Sequence, residues 1–149
     1  MNYNNPNARF TFNKKQHDIG MKTEEKLRPY LDVFFNTTFE KRSENIYDKL
    51  DFWDGKNLIV EVKGRTNSKN QYPKTLITVG KVEEAFLAFE GNPDLDVYFF
   101  FVFTDKTSYV KLSRDKPNWV KQNTGTNFIP HYLIPVDELT DFERVLNKI

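Results

Sequence analysis

Cysteine is absent from this chain, histidine occurs twice, and no apolar run reaches the length of a membrane span. The first absence excludes a disulfide framework and thiolate metal sites, and fits a reducing compartment. The third, together with a polar start over residues 1–16 that lacks a signal-peptide core, predicts a cytoplasmic protein with no membrane partner. Charge of one sign is also missing. Twenty-two Lys and Arg against 21 Asp and Glu leave a net charge of +1, so global basicity does not advertise a nucleic-acid binder and local distribution has to carry that case. What the chain does have is aromatic bulk, 14 Phe and 7 Tyr in 149 residues, enough to build one core without staples. A flexible segment over residues 1–16 and one domain over 17–149 are expected.

Apolar residues from Asp18 to Phe35 recur at helical spacing (Met21, Leu27, Tyr30, Leu31, Phe34, Phe35) and predict a helix that Pro29 kinks or splits. Short strands are expected over Thr37–Arg42, Asn45–Trp53 and Asn57–Gly64, with Asp54-Gly55 as the hairpin turn between the last two. A polar loop follows to Lys74, then a short extended piece over Leu76–Val79 and a helix over Lys81–Glu90 closed by Gly91. Val97–Phe103 is a continuous apolar run, consistent with a strand buried on both faces, and Ser108–Leu112 reads as its antiparallel neighbour. Asp115–Asn127 is expected to be an irregular loop that Trp119 anchors to the core; the alternative is a DNA-stacking loop with Arg114, Lys116 and Lys121. A last strand over Tyr132–Pro135 and a terminal helix, with Thr140 and Glu143 at capping-box spacing and Phe142, Val145, Leu146 and Ile149 on one stripe, complete the reading. The order helix, three strands, helix, strand describes an α/β layer structure with a mixed sheet.

The segment most suited to chemistry runs from Asp48 to Arg65. Glu61 and Lys63 are two apart on a strand and project to one face, while Val60 and Val62 project to the other. From Glu61 to Lys81 the only carboxylate is Glu61 itself, against Lys63, Arg65, Lys69, Lys74 and Lys81, which makes this quarter locally basic. With His17 and His131 far from the hairpin in sequence, a metal held here is a hard ion, Mg²⁺ or Mn²⁺, for which one or two carboxylates suffice alongside water and phosphate oxygens. Such an ion lowers the pKa of a bound water and stabilises charge on a phosphate, with Lys63 neutralising the same charge. A plain salt-bridged surface is the competing explanation, but Leu58–Val62 is too apolar to be solvated on both sides.

Asp51, nine intervening residues, then Glu61-Val62-Lys63 followed by Gly64 and Arg65 resembles the PD-(D/E)xK nuclease superfamily. The resemblance implies a restriction-endonuclease-like core with a mixed central sheet flanked by helices. It also implies a Mg²⁺- or Mn²⁺-dependent endonuclease that hydrolyses DNA phosphodiesters, in the setting of a bacterial or phage-infected cell. Asp51 and Glu61 are then the metal ligands, Val62 offers its carbonyl, and Lys63 is the catalytic lysine. A further metal-binding acid falls on the first helix at Glu24, which shares its side with Met21, Leu27 and Leu31. Arg65 and Lys81 are the expected substrate contacts. No proline precedes the first acid, and Asp48 competes with Asp51. A two-residue Asp54-Gly55 turn sets Asp48 opposite Glu61; a longer turn reverses this. The spacing of Asp51 to the triplet and the Phe52 that follows it resemble phage-type members of the family, and the resemblance favours Asp51. A homodimer is the simplest way to cut both strands, and a module that kept the fold but lost turnover is the alternative function.

Overall fold

Phe99, Phe100 and Phe101 follow one another on one strand and all three are fully buried, which requires that strand to have a packed layer on each side. The computed structural model describes residues 14–40, 50–115, 118–124 and 128–142. Among the described residues two α-helices, α1 (Lys14–Phe35) and α2 (Val79–Gly91), accompany eight strands: β1 (Phe52–Trp53), β2 (Leu58–Gly64), β3 (Lys74–Thr78), β4 (Asp96–Val102), β5 (Thr107–Lys111), β6 (Val120–Thr124), β7 (Ile129–Pro135) and β8 (Thr140–Asp141). A mixed sheet runs β1-β2-β4-β5-β8, and a second sheet runs β3-β7-β6. In the first sheet β2 and β4 are parallel and the other pairs antiparallel; the second is antiparallel throughout.

Alternation along β2 and β4 divides the core in two. Val60, Val62 and Phe100 pack with Leu27 and Leu31 of α1. Ile59, Val97, Phe99 and Phe101 pack on the opposite face with Val82, Ala85 and Phe89 of α2 and with Ile77, Tyr132 and Ile134 of the second sheet. Each fully buried Phe contributes roughly 2–3 kcal/mol of hydrophobic stabilisation. The parallel β2–β4 pair needs a crossover, and β3 with α2 supplies it, so α2 starts near the carboxyl ends of the two parallel strands. In open α/β sheets that is where ligands bind.

Several expectations are corrected. α1 begins at Lys14 and passes through Pro29 as one helix, its packing outweighing the missing hydrogen bond. It stops at Asn36, whose φ of 52° is left-handed, and the Asp32 carboxylate receives the Phe39 N–H at 2.9 Å. The expected strand over Thr37–Arg42 is represented among the described residues by one bridge, Glu40 to Trp53. The segment Asp115–Asn127 contains a strand, β6, and it, β3 and β7 form a sheet of their own rather than extending the central one. Thr140 pairs with Tyr109 in β8 instead of capping a helix; residues 143–149 lie outside the described residues. Among the described residues no helix is long and apolar enough to cross a membrane.

Candidate active site

The β1–β2 connection decides which acid meets Glu61. Phe52 pairs with Val60 and Trp53 with Ile59, so the linker is Asp54–Asn57 and not a two-residue turn. One oxygen of Asp54 receives the N–H groups of Lys56, Asn57 and Leu58 at 2.9, 3.0 and 3.0 Å, and the other receives the Thr37 hydroxyl at 3.1 Å. Gly55 turns the chain at φ 80°, and a Cβ there would stand 3.1 Å from Glu40 Oε1. This register puts Asp51 across from Glu61. Asp48 lies outside the described residues.

Beyond Phe52 side chains replace the ladder. Asp51 N–H donates to Glu61 Oε1 at 3.1 Å, and Val62 N–H donates to Asp51 Oδ2 at 2.7 Å. Because the N–H and C=O of a strand residue point to the same edge, the Val62 carbonyl also faces the edge where Asp51 stands. Asp51 is 1% exposed and Glu61 fully buried. Lys63 Nζ lies 3.2 Å from Glu61 Oε2, and Lys81 Nζ, from the first turn of α2, lies 3.6 Å from the same oxygen. That oxygen is buried and receives no hydrogen bond of good geometry; the two ammonium groups hold it as ion pairs only. Burial, reinforced by Asp51, pushes the Glu61 carboxyl up to about 7 against the pull of Lys63 and Lys81.

Asp51, Glu61, Lys63 and Lys81 are thus brought together. Glu24 is not. It is half-buried on α1, which packs on the sheet face opposite the Glu61 side chain, and among the described residues no three acids or histidines are grouped to hold a metal. The fit to a hard divalent ion therefore rests on the two carboxylates of Asp51 and Glu61 and the Val62 carbonyl, a donor set sufficient for Mg²⁺ or Mn²⁺ alongside water and phosphate oxygens. Arg65 has a bracing job: Nε donates to Thr75 Oγ1 at 3.2 Å, Nη1 to the Gly64 carbonyl at 3.2 Å and Nη2 to the Leu76 carbonyl, with the guanidinium 5.5 Å from the centre of the Phe101 ring. It fastens the end of β2 to β3. Burial holds its pKa below the ordinary arginine value.

Trp119 packs on the core beside Tyr132 and donates to Glu138 at 3.0 Å, an anchor as expected. Arg114 donates to the Leu95 carbonyl and covers the Phe89 ring at 4.5 Å. Sequence reasoning missed the reciprocal capping of the Asp51 and Val62 amides by the two site carboxylates. The Asp54 loop that creates it was legible only as a turn signal.

A family model described as "Phage putative PDDEXK endonuclease" matches residues 13–127, which include every residue of this site. No curated protein and no solved structure matches the chain. A match over most of the chain, on a mixed α/β sheet that carries an acid and a Glu-x-Lys triplet across one hairpin, makes this chain a member of the phage PD-(D/E)xK endonuclease family.

Proposed function

We propose that the chain is a Mg²⁺- or Mn²⁺-dependent endonuclease with a restriction-endonuclease-like core, hydrolysing DNA phosphodiester bonds at Asp51, Glu61 and Lys63. The observation that carries this reading is the buried Glu61 Oε2, facing two lysines and lacking a hydrogen bond. Two ammonium groups converging on one buried carboxylate oxygen bring more positive charge than a single structural ion pair needs. Asp51, Glu61 and the Val62 carbonyl would hold the cation. Bound there, it supplies Lewis-acid stabilisation of phosphate charge and acidifies water.

The remaining work falls to the chain. Lys63 sits at the edge of the carboxylate pair, a third exposed, able to swing from Glu61 to an incoming phosphate and orient the attacking water. Lys81 adds a point charge to the amino end of α2, whose backbone N–H groups favour the same phosphate. Arg65 holds the β2–β3 corner on which both depend. One chain carries one site, and a symmetric dimer is the simplest assembly that cuts both strands.

The test is nicking and linearisation of supercoiled plasmid with Mg²⁺ or Mn²⁺ by wild type, Glu61→Gln and Lys63→Ala. Cleavage by wild type alone is the expected result. Absence of cleavage with every metal, or retention of it in both variants, would sink the reading and leave a binding module.

A further inference from the structure

The chain averages about one carboxylate in seven residues, yet two stretches have none at all: 62–82 and 116–136. The fold brings them together. The first supplies β3 and the start of α2, the second supplies β6 and β7, so the whole second sheet is free of acids and adjoins the candidate site. That sheet also ends unevenly. Thr78, the last residue of β3, pairs with His131, but β7 and β6 continue for two further pairs, Asn123 with Pro130 and Thr124 with Ile129. The β6–β7 hairpin therefore overhangs β3 as a two-stranded ribbon at the end from which α2 departs with Lys81.

Chain geometry limits how far the ribbon is from the site. Thr78 and His131 are cross-strand neighbours about 5 Å apart, and Lys81 follows Thr78 by three residues, at most about 11 Å. His131 and Lys81 thus have Cα atoms within roughly 17 Å. On the ribbon's outer face, away from the core side of Tyr132, stand Gln122 opposite His131 and Thr124 opposite Ile129. Gln122 is exposed and Ile129 is 43% exposed. His131 Nδ1 lies 2.7 Å from the Ile129 carbonyl; since a carbonyl only accepts, Nδ1 carries the proton and Nε2 of the neutral ring is an acceptor. Phe128 is 58% exposed and left-handed at φ 50°, a combination that costs stability for a bulky residue.

We propose that the β6–β7 ribbon enters the major groove of B-form duplex DNA beside the cut, presenting Gln122, Thr124, Ile129 and His131 to base edges; this rests on the nuclease reading above. A B-form major groove, about 12 Å wide, admits a two-stranded ribbon and displays the donors, acceptors and thymine methyl groups these four side chains match. The deep, narrow major groove of A-form RNA does not. Lys121, on the other face and 5.6 Å from the Tyr132 ring, is placed for the groove wall. The substrate class follows as duplex DNA rather than RNA.

The test is fluorescence anisotropy in EDTA, where cleavage plays no part, with three probes of one sequence: a DNA duplex, the same duplex with glucosylated cytosines filling the major groove, and an RNA duplex. Wild type is expected to bind plain DNA at least about tenfold more tightly than either other probe. Gln122→Ala/Thr124→Ala, at positions outside the core, is expected to lose about tenfold on plain DNA with an unchanged melting temperature. Equal binding of the glucosylated duplex overturns the ribbon without needing any variant, and equal binding of RNA overturns the substrate class. A double variant that binds like wild type overturns the role of these side chains. Plasmid cleavage that depends on Glu61 survives all three failures, and the groove preference survives an inactive site.

Discussion

At the residue scale Glu61 is the group whose state sets the rest. Its folded pKa of about 7 lies above the ordinary 4.5, so the folded chain binds this proton more tightly than the unfolded chain. Stability then falls as pH rises from 4.5 to 7 and stays low above 7, by roughly 3 kcal/mol without metal. Glu61→Gln removes that slope. Urea unfolding at pH 5 and pH 8 should show the variant gaining on wild type between the two by a few kcal/mol. A constant difference would mean that Glu61 is ionised throughout. Metal binding needs the carboxylate deprotonated, so Mg²⁺ should raise the wild-type melting temperature more at pH 8 than at pH 6. Differential scanning fluorimetry checks this, and Glu61→Gln should show no shift at either pH.

At the element scale the Asp54 loop fixes the register on which the site depends. Asp54→Ala leaves three amide donors without their carboxylate and should cost about 2–3 kcal/mol, read as a lower urea midpoint. Gly55→Ala meets both a positive φ and the Glu40 carboxylate and should cost about 1 kcal/mol or more. Both changes should reduce cleavage further than stability loss alone explains, because a shifted register turns Asp51 away from Glu61. The loop also shows what sequence could and could not convey. Asp54-Gly55 announced a turn, but its length depended on one carboxylate collecting three amides, a tertiary choice with no local signature. The apolar run at Val97–Phe103 was legible because burial on both faces leaves a direct compositional trace, and α2 was legible from the Gly91 that closes it. Strand β6 was not: Val-Lys-Gln-Asn-Thr is an edge strand exposed along its length, with no hydrophobic alternation to betray it. The grouping of Asp51, Glu61, Lys63 and Lys81 could be read from motif and helix position, whereas helical periodicity says of Glu24 only which side of α1 it shares, not against which face of the sheet that side packs.

At the scale of the whole molecule a net charge of +1 coexists with two stretches free of acids, and salt dependence tells which of the two a nucleic-acid partner feels. A partner that responded to net charge alone would be held by about one unit, with almost no dependence on ionic strength. The acid-free stretches and the site beside them instead supply Lys63, Lys74, Lys81 and Lys121 as candidate phosphate contacts, while Arg65 is taken by β3 and Lys69 by Asp141. Four phosphate contacts release enough counterions for a slope of roughly −3 to −4 in log K against log salt. Anisotropy titrations of duplex DNA across a salt series should give that slope. Lys81→Ala and Lys121→Ala should each lower it by about one, and Lys69→Ala should leave it unchanged while lowering stability through the loss of its ion pair with Asp141. A slope near zero for wild type would mean that these lysines do not share a phosphate track, and that the local basicity of the sequence is an ordinary solvated surface.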